Sequence, residues 1–227
     1  MKTKKKIILS SLLLVLLVIV TVSISLANLN TDTVLRQEVD RRIQEWQDYC
    51  NQDILIASEA NIKGKYENDK FEAIASLGPE YIPYLIEVIE KDSGITGYSL
   101  VAAVQRISKV SLKEWDRTTV WLGMWNKHLK TVSIKINELK EAFKQNNTKN
   151  IELKMEDVKK LGIPAVPYLI QEIKSGNYYM VDALRAIMSG DSSIPADNDK
   201  VKWEKWVKDN QNRFEGIKNL VENAKNK

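Results

Sequence analysis

The chain has 227 residues, hydrophobic residues at 44% of its positions and a formal net charge of +4. This length suffices for one domain or two small ones, and the composition excludes a disordered chain and a polytopic membrane protein. Four of the 34 basic residues precede residue 7, and the remaining 30 face 30 acidic residues, so no excess positive charge is left to neutralise a nucleic acid.

Residues 1–27 have the pattern of a targeting segment. A basic start precedes an apolar run from Ile7 to Val22, and small residues at Ser25 and Ala27 match what a signal peptidase recognises. A cleaved signal peptide is the favoured interpretation. An uncleaved anchor stays open, because 7–27 has about the 20 residues that span a bilayer. Either interpretation predicts that 28–227 is secreted or held at the cell surface, with membrane contact only through 7–27.

The first segment after this run predicts an amphipathic helix. Its apolar residues are spaced 4, 4, 3 and 4 apart and form one face: Leu35, Val39, Ile43, Trp46 and Cys50. Cys50, the one cysteine, is expected to be a small buried hydrophobic residue on that face. A disulfide dimer through Cys50 is the less favoured alternative, since an exported thiol can join two chains.

The chain contains an internal repeat. Segments 70–90 and 154–174 align without gaps at an offset of 84, and nine of their 21 positions are identical. The identical positions include a Leu-Gly pair and a Pro-Tyr-Leu-Ile run. The match resumes at an offset of 80, where Tyr98 and Ile107 correspond to Tyr178 and Ile187. These matches predict two related copies, about 46–108 and 125–188.

Each copy is predicted to hold three helices. The first ends at the Leu-Gly pair, where Gly78 or Gly162 can adopt the left-handed conformation. The second carries Pro83 or Pro167 in its first turn, where a missing N–H costs nothing. Its buried stripe comprises Ile82, Leu85, Ile86 and Ile89 in one copy, and Val166, Leu169, Ile170 and Ile173 in the other. Between the copies, 132–143 is expected to be a helix and 145–150 a polar loop.

The order of helix, Leu-Gly, Pro-x-Leu-Ile-x-x-Ile resembles HEAT-like repeats of the armadillo superfamily, in an exported bacterial protein. The resemblance covers about 70–108 and 154–188, but the copies recur at 80–84 residues rather than about 40. It implies an all-α fold, a short and irregular HEAT-like α-α superhelix that follows an N-terminal hydrophobic targeting helix, with 209–227 as a C-terminal capping helix. It also implies a non-catalytic scaffold that binds a protein or cell-envelope partner.

Two groups of residues are candidates for an interaction surface. Tyr84, Glu87, Tyr168 and Gln171 lie off the buried stripes, and in HEAT-like stacks such positions can face the concave groove. Packing of the two tyrosine rings against the preceding helix is an equally favoured alternative. The second group is Trp121 and Trp125 as an exposed aromatic platform, although burial in the core is favoured for tryptophans at this helical spacing.

Catalytic and metal motifs are not found in the sequence. His128 is the one histidine, which argues against a common zinc site and predicts a partly exposed surface residue. The loop Ser189–Lys200 holds three aspartates but not the calcium-binding register, so a helix cap from Asp197, Asn198 or Asp199 is expected instead. We therefore expect no catalytic residue, metal or cofactor. A carboxylate-based envelope enzyme, a carbohydrate-binding domain using exposed tryptophans, and a membrane-tethered regulatory subunit remain alternatives.

Overall fold

The computed structural model describes residues 32–52, 66 and 68–226. The predicted targeting segment lies outside the described residues. These residues contain helices and turns but no β-strand, which confirms the all-α class. None of the described helices is both long enough and apolar enough to cross a membrane. The chain divides into two compact units, Met1–Arg41 and Arg42–Lys227.

The first helix, α1, covers residues 32–52 and includes the boundary between the units. In the first unit it carries two ion pairs at helical spacing, Asp32 with Arg36 at 3.2 Å and Glu38 with Arg41 at 2.8 Å. The second unit contains the rest of α1 and these helices: α2 Asp69–Ala75, α3 Ile82–Lys91, α4 Ile95–Ser108, α5 Thr118–Lys144, α6 Thr148–Lys159, α7 Val166–Lys174, α8 Val181–Ile187, α9 Lys200–Asn210 and α10 Glu215–Asn226.

The two predicted copies have the same local structure. In each, a helix is followed by a 3₁₀ turn, a proline-containing helix and a third helix: α2, α3 and α4 in the first copy, α6, α7 and α8 in the second. The 3₁₀ turns are Pro79–Tyr81 and Ile163–Ala165. Pro83 and Pro167 lie at the starts of α3 and α7, as predicted. The predicted stripes are also confirmed, because all eight residues are buried, none more than 4% exposed.

The Leu-Gly turns differ between the copies. Gly162 has the positive φ that was expected, +64°, but its ψ of −154° lies outside the left-handed helical conformation. Gly78 has φ −71°, so the expectation for that residue is wrong. The preceding helices end with the same pair of hydrogen bonds in both copies. Gly162 also donates its N–H to the carbonyl oxygen of Lys159, and no described hydrogen bond of Gly78 matches this one. A Cβ at position 162 would lie 2.3 Å from the carbonyl oxygen of Ser108, so this turn packs directly on the end of α4.

A helical hairpin connects the copies. The predicted helix 132–143 is confirmed as part of the 27-residue α5. The predicted polar loop 145–150 is too long, because the Asn147 side chain accepts a hydrogen bond from the N–H of Asn150 and caps α6, which begins at Thr148. The hairpin is held by buried apolar residues and by ion pairs between the helices, including Glu138 with Lys154 at 2.7 Å.

The C-terminal helix α10 lies against both copies. It packs most extensively on α5 and also contacts α3, α7 and the 3₁₀ turns of the two copies. Phe214, Ile217, Val221 and Ala224 are buried in this contact region. Gly216 permits the close approach, because a Cβ there would lie 2.9 Å from Cγ of Pro83. The last helix therefore joins the two copies.

Gly162→Ala is expected to destabilise the fold by about 2–4 kcal/mol, because the residue has a positive φ and the new methyl group would collide with a backbone carbonyl. Gly123→Ala in the middle of α5 is the matched control. Its added Cβ meets nothing within 4 Å, so it should stabilise the protein by about 0.5–1 kcal/mol. Urea unfolding of both variants measures this, and equal effects would contradict the packing of the 162 turn on α4.

Candidate functional site

The tryptophans belong to the core. Trp121 and Trp125 are 0% and 1% exposed, and their rings stack with centroids 5.4 Å apart. The hypothesis that these two residues form an exposed platform is therefore wrong. Their spacing of four residues places both on the buried face of α5. Of the other tryptophans, Trp115 is half-buried, and three are buried: Trp46, Trp203 and Trp206.

The candidates on the proline-containing helices differ in exposure. Tyr84 and Glu87 on α3 are half-buried, Tyr168 on α7 is half-buried, and Gln171 is exposed. Lys225 of α10 places its Nζ 5.3 Å from the centre of the Tyr168 ring. The Tyr168 hydroxyl is buried without a hydrogen-bond partner among the described residues, and burial, with the nearby Glu222 charge, raises its pKa to about 12. Tyr168 thus packs under the C-terminal helix.

His128 joins two elements of the core. It is half-buried, and its Nε2 lies 3.0 Å from the carbonyl oxygen of Leu161, the residue before the Gly162 turn. The ring also stacks on Trp125 at 6.1 Å. Burial lowers the pKa of His128, and the bond to Leu161 opposes this in part. The histidine is partly exposed, as expected, and it also has a structural contact.

The loop before α9 uses its aspartates locally. Asp199 caps α9 by accepting hydrogen bonds from the N–H groups of Val201 and Lys202. It is one of the three residues that were predicted as the cap. Asp197 pairs with Lys202 at 2.6 Å. Among the described residues, no group of three or more His, Cys, Asp or Glu side chains is arranged to hold a metal ion. Cys50 is buried at 9% exposure, consistent with its expected place on the apolar face of α1.

A polar groove lies where the ends of the two copies meet, and we name it the interrepeat groove. It has a volume of about 630 Å³. Its walls are the Leu-Gly turn at 77–79, the end of α4 at 106–109, the loop 188–193 after α8, and Asn210 and Arg213 before α10. Both copies and the C-terminal region therefore contribute to one surface.

Corresponding positions of the two copies touch in this groove. Lys109 follows α4, and Ser189 stands at the matching position after α8, at the repeat offset of 80. The Nζ of Lys109 donates a hydrogen bond to the carbonyl oxygen of Ser189 at 2.5 Å. Burial lowers the pKa of Lys109, while the Asp191 charge opposes the shift. The ammonium group thus connects the two third helices at their C-terminal ends.

The charges of the groove are paired with each other. Arg213 donates to Glu80 through Nε and to Asp191 through Nη1, each at 2.9 Å, and it joins the first copy to the loop after the second. Arg106 pairs with Glu72 at 2.5 Å. Burial would raise the pKa of Asp191, but hydrogen bonds from Ser193 and Arg213 outweigh it and lower the pKa. The groove therefore offers hydrogen-bonding groups and no carboxyl group primed to donate a proton.

Sequence reasoning missed most residues of this groove. It considered Asp191 only as a calcium ligand and did not single out Glu80, Lys109 or Arg213. A signal was present for Lys109, since it directly follows the aligned part of the first copy. Arg213 could not be found in this way, because the pairing between α10 and the copies has no counterpart in the repeat.

Arg213→Ala should destabilise the protein by about 1–3 kcal/mol, because it leaves Glu80 and Asp191 without their shared cation. The three side chains are between 21% and 31% exposed, so the loss is smaller than for a fully buried pair. Lys205→Ala is the control. It removes an exposed ion pair with Asp209 and should cost less than about 0.5 kcal/mol. Equal losses in urea unfolding would show that the Arg213 pairing adds nothing.

Stability should fall as the pH drops through the ordinary His128 pKa of 6.5. The folded state holds this residue at a lower pKa than the unfolded state, so the unfolded chain binds more protons in that window, and the effect vanishes above about pH 7.5. His128→Gln keeps an N–H for Leu161 but cannot titrate. Urea midpoints at about pH 7.5 and 5.5 should fall more for the wild type than for this variant. The same fall in both would contradict the assignment.

Comparison with known proteins identifies no relative of this chain. It matches no protein-family model, no curated protein and no solved structure. The resemblance to HEAT-like repeats therefore stays a prediction from the sequence, and the function is inferred from the arrangement of the described residues.

Proposed function

We propose that the chain is an exported, non-catalytic interaction scaffold of HEAT-like type, which binds a protein partner at the cell envelope through the interrepeat groove. The observation that carries this proposal is that both copies and the C-terminal region contribute walls to one groove. Its loop 188–193 includes exposed serines at 189, 192 and 193. The hydroxyls of Ser189 and Ser193 already bond within the chain, so Ser192 is the serine whose hydroxyl is offered to a partner.

The local structure of the copies supports the HEAT-like part of the proposal. A proline in the first turn of the second helix, a buried stripe on that helix and a third helix packed against it recur in both copies. Helical units of this kind bury their apolar faces only by stacking. We infer a short and irregular superhelix in which α5 separates the copies and α10 bridges them.

The electrostatics favours binding over catalysis. A general acid in glycoside cleavage needs a raised pKa. In the described part of the chain, the three carboxyl groups with a shifted pKa are Glu138, Asp191 and Asp197, and each is lowered mainly by hydrogen bonds from neighbouring donors. Neither histidine nor cysteine lines the interrepeat groove. Burial of Trp121 and Trp125 also removes the aromatic platform on which the carbohydrate-binding alternative depended.

Location outside the cytoplasm rests on the sequence of 1–27. The basic start, the apolar run and the small residues at its end together favour export. A chain that keeps 7–27 would be tethered to the membrane, and a regulatory subunit of that kind would still present the same groove. Export and groove binding are therefore compatible in either form.

Site-specific photocrosslinking tests this function in the cells that produce the protein. The full chain carries benzoylphenylalanine at Ser192 in the groove or, as a control, at Lys130, an exposed residue on α5. We expect a discrete protein adduct from position 192 and none from 130. Ser76→Trp, which fills the groove, should reduce that adduct about fivefold or more, as expected for blocking a binding centre.

The control for the filling variant is Ser111→Trp, at an exposed serine that does not line the groove. It should leave the adduct unchanged. The proposal fails if position 192 yields no discrete adduct, if 130 yields the same one, or if both tryptophan variants act alike. Protease treatment of intact cells reports the location separately, since an exported domain is digested without lysis.

A further inference from the structure

A second groove lies between the end of α7 and helix α9, and we name it the α7–α9 groove. It has a volume of about 340 Å³ and shares no lining residue with the interrepeat groove. Ile173 and Val207 line its base and are 1% and 3% exposed, and Tyr178 forms one wall. The base is thus apolar, and the volume falls in the range of pockets that hold small ligands or side chains.

The only acid that lines this groove is already engaged. The Tyr178 hydroxyl donates a hydrogen bond to Oε1 of Glu204 at 2.6 Å, and Lys200 places its Nζ 3.7 Å from the same oxygen. This hydrogen bond is the largest cause that raises the pKa of Tyr178 to about 12, so the tyrosine stays a donor at neutral pH. The negative charge of Glu204 is therefore partly neutralised.

Two lysines on the lining of the groove lack an acidic partner in the described part of the chain. Lys174 donates to the amide oxygen of Gln211 at 2.7 Å, and neither Lys174 nor Lys208 forms an ion pair with a described carboxylate. Counting Lys200 with them gives three positive charges against the one negative charge of Glu204, an excess of two. An apolar base under two uncompensated lysines is complementary to a ligand that is both apolar and acidic.

The positive charge of the α7–α9 groove is not a feature that the two copies share. At the offset of 84, Lys174 corresponds to Glu90 in the first copy, whereas the buried Ile173 corresponds to the buried Ile89. At the offset of 80, Tyr178 corresponds to Tyr98, which lies against Trp115 with ring centroids 4.7 Å apart. The second copy therefore has a basic groove where the first copy has an acidic residue and an exposed tyrosine that contacts a tryptophan.

We propose that the α7–α9 groove binds a short segment of a partner protein in which a large apolar side chain is flanked by acidic residues. The apolar side chain packs on Ile173, Val207 and Tyr178, and the carboxylates meet Lys174 and Lys208. The inference rests on the proposed function as a protein-binding scaffold, and it assigns the chemistry of the segment that one surface recognises.

Binding of a defined peptide to the full chain tests this. The probe is fluorescein-labelled SEELFES, followed by fluorescence anisotropy, and the expected dissociation constant is of the order of 10⁻⁴ M, as for a small contact area. SKKLFKS, with lysines in place of the acids, and SEESSES, without the apolar pair, should each bind about fivefold more weakly or worse. The first peptide tests the lysines and the second tests the apolar base.

A charge-reversed variant tests whether the peptide binds in the α7–α9 groove. K174E/K208E should weaken SEELFES binding about fivefold or more. K127E/K130E is the matched control, because it changes the net charge equally at two exposed lysines of α5 that form no ion pair with a described residue, and it should bind like the wild type. Unfolding midpoints of the two variants show whether either is misfolded. If K174E/K208E does not fold, K174Q/K208Q, which removes both positive charges at these exposed positions without adding acids, replaces it.

Several outcomes overturn the proposal. They are no binding by the wild type at millimolar peptide, equal binding of SEELFES and SEESSES, equal binding by K174E/K208E and K127E/K130E, or binding of anionic phosphatidylglycerol vesicles in place of the peptide. If the wild type yields the Ser192 adduct but does not bind SEELFES, this inference is overturned and the scaffold function stands. Loss of the Ser192 adduct alone would instead overturn the interrepeat groove as a binding site.

Discussion

The C-terminal helix α10 is the constraint on which the rest of the second unit depends. The two copies are separated in sequence by α5, and α10 contacts both proline-containing helices and both 3₁₀ turns. Its approach to Pro83 requires a glycine at 216. The residues just before it then bring Arg213 between Glu80 and Asp191. One helix thus buries the apolar faces of both copies and places the cation that pairs with two of their acids.

This arrangement explains why the interrepeat groove is polar and nearly neutral. Its cations are held by acids from another element or, for Lys109, by a carbonyl oxygen at the end of α8. A cation at a helix C-terminus is stabilised by the negative end of the helix dipole. Since these charges satisfy each other, a partner gains little from long-range attraction there and must match the shape and hydrogen bonds of the groove.

The sequence predicted the features that local periodicity determines. It located the helices of both copies, the prolines in their first turns and the buried stripes, because each depends on spacing within about twenty residues. It failed where an interaction between distant segments decides the outcome. Gly78 and Gly162 have φ angles of opposite sign, and only Gly162 packs on the end of α4. The placement of α10, and with it Arg213, results from tertiary packing that no repeat pattern records.

The two copies agree where they bury apolar surface and differ where they meet solvent. Ile89 and Ile173 occupy the same buried position, while the adjacent Glu90 and Lys174 carry opposite charges. Packing restricts the residue type at the buried positions, because a change of volume in the core is costly. It does not restrict the charge at the exposed positions. The α7–α9 groove arises at a point of divergence, where α9 supplies Val207 and Lys208 beside the end of α7. A shared helical frame can therefore present differently charged surfaces on its two copies.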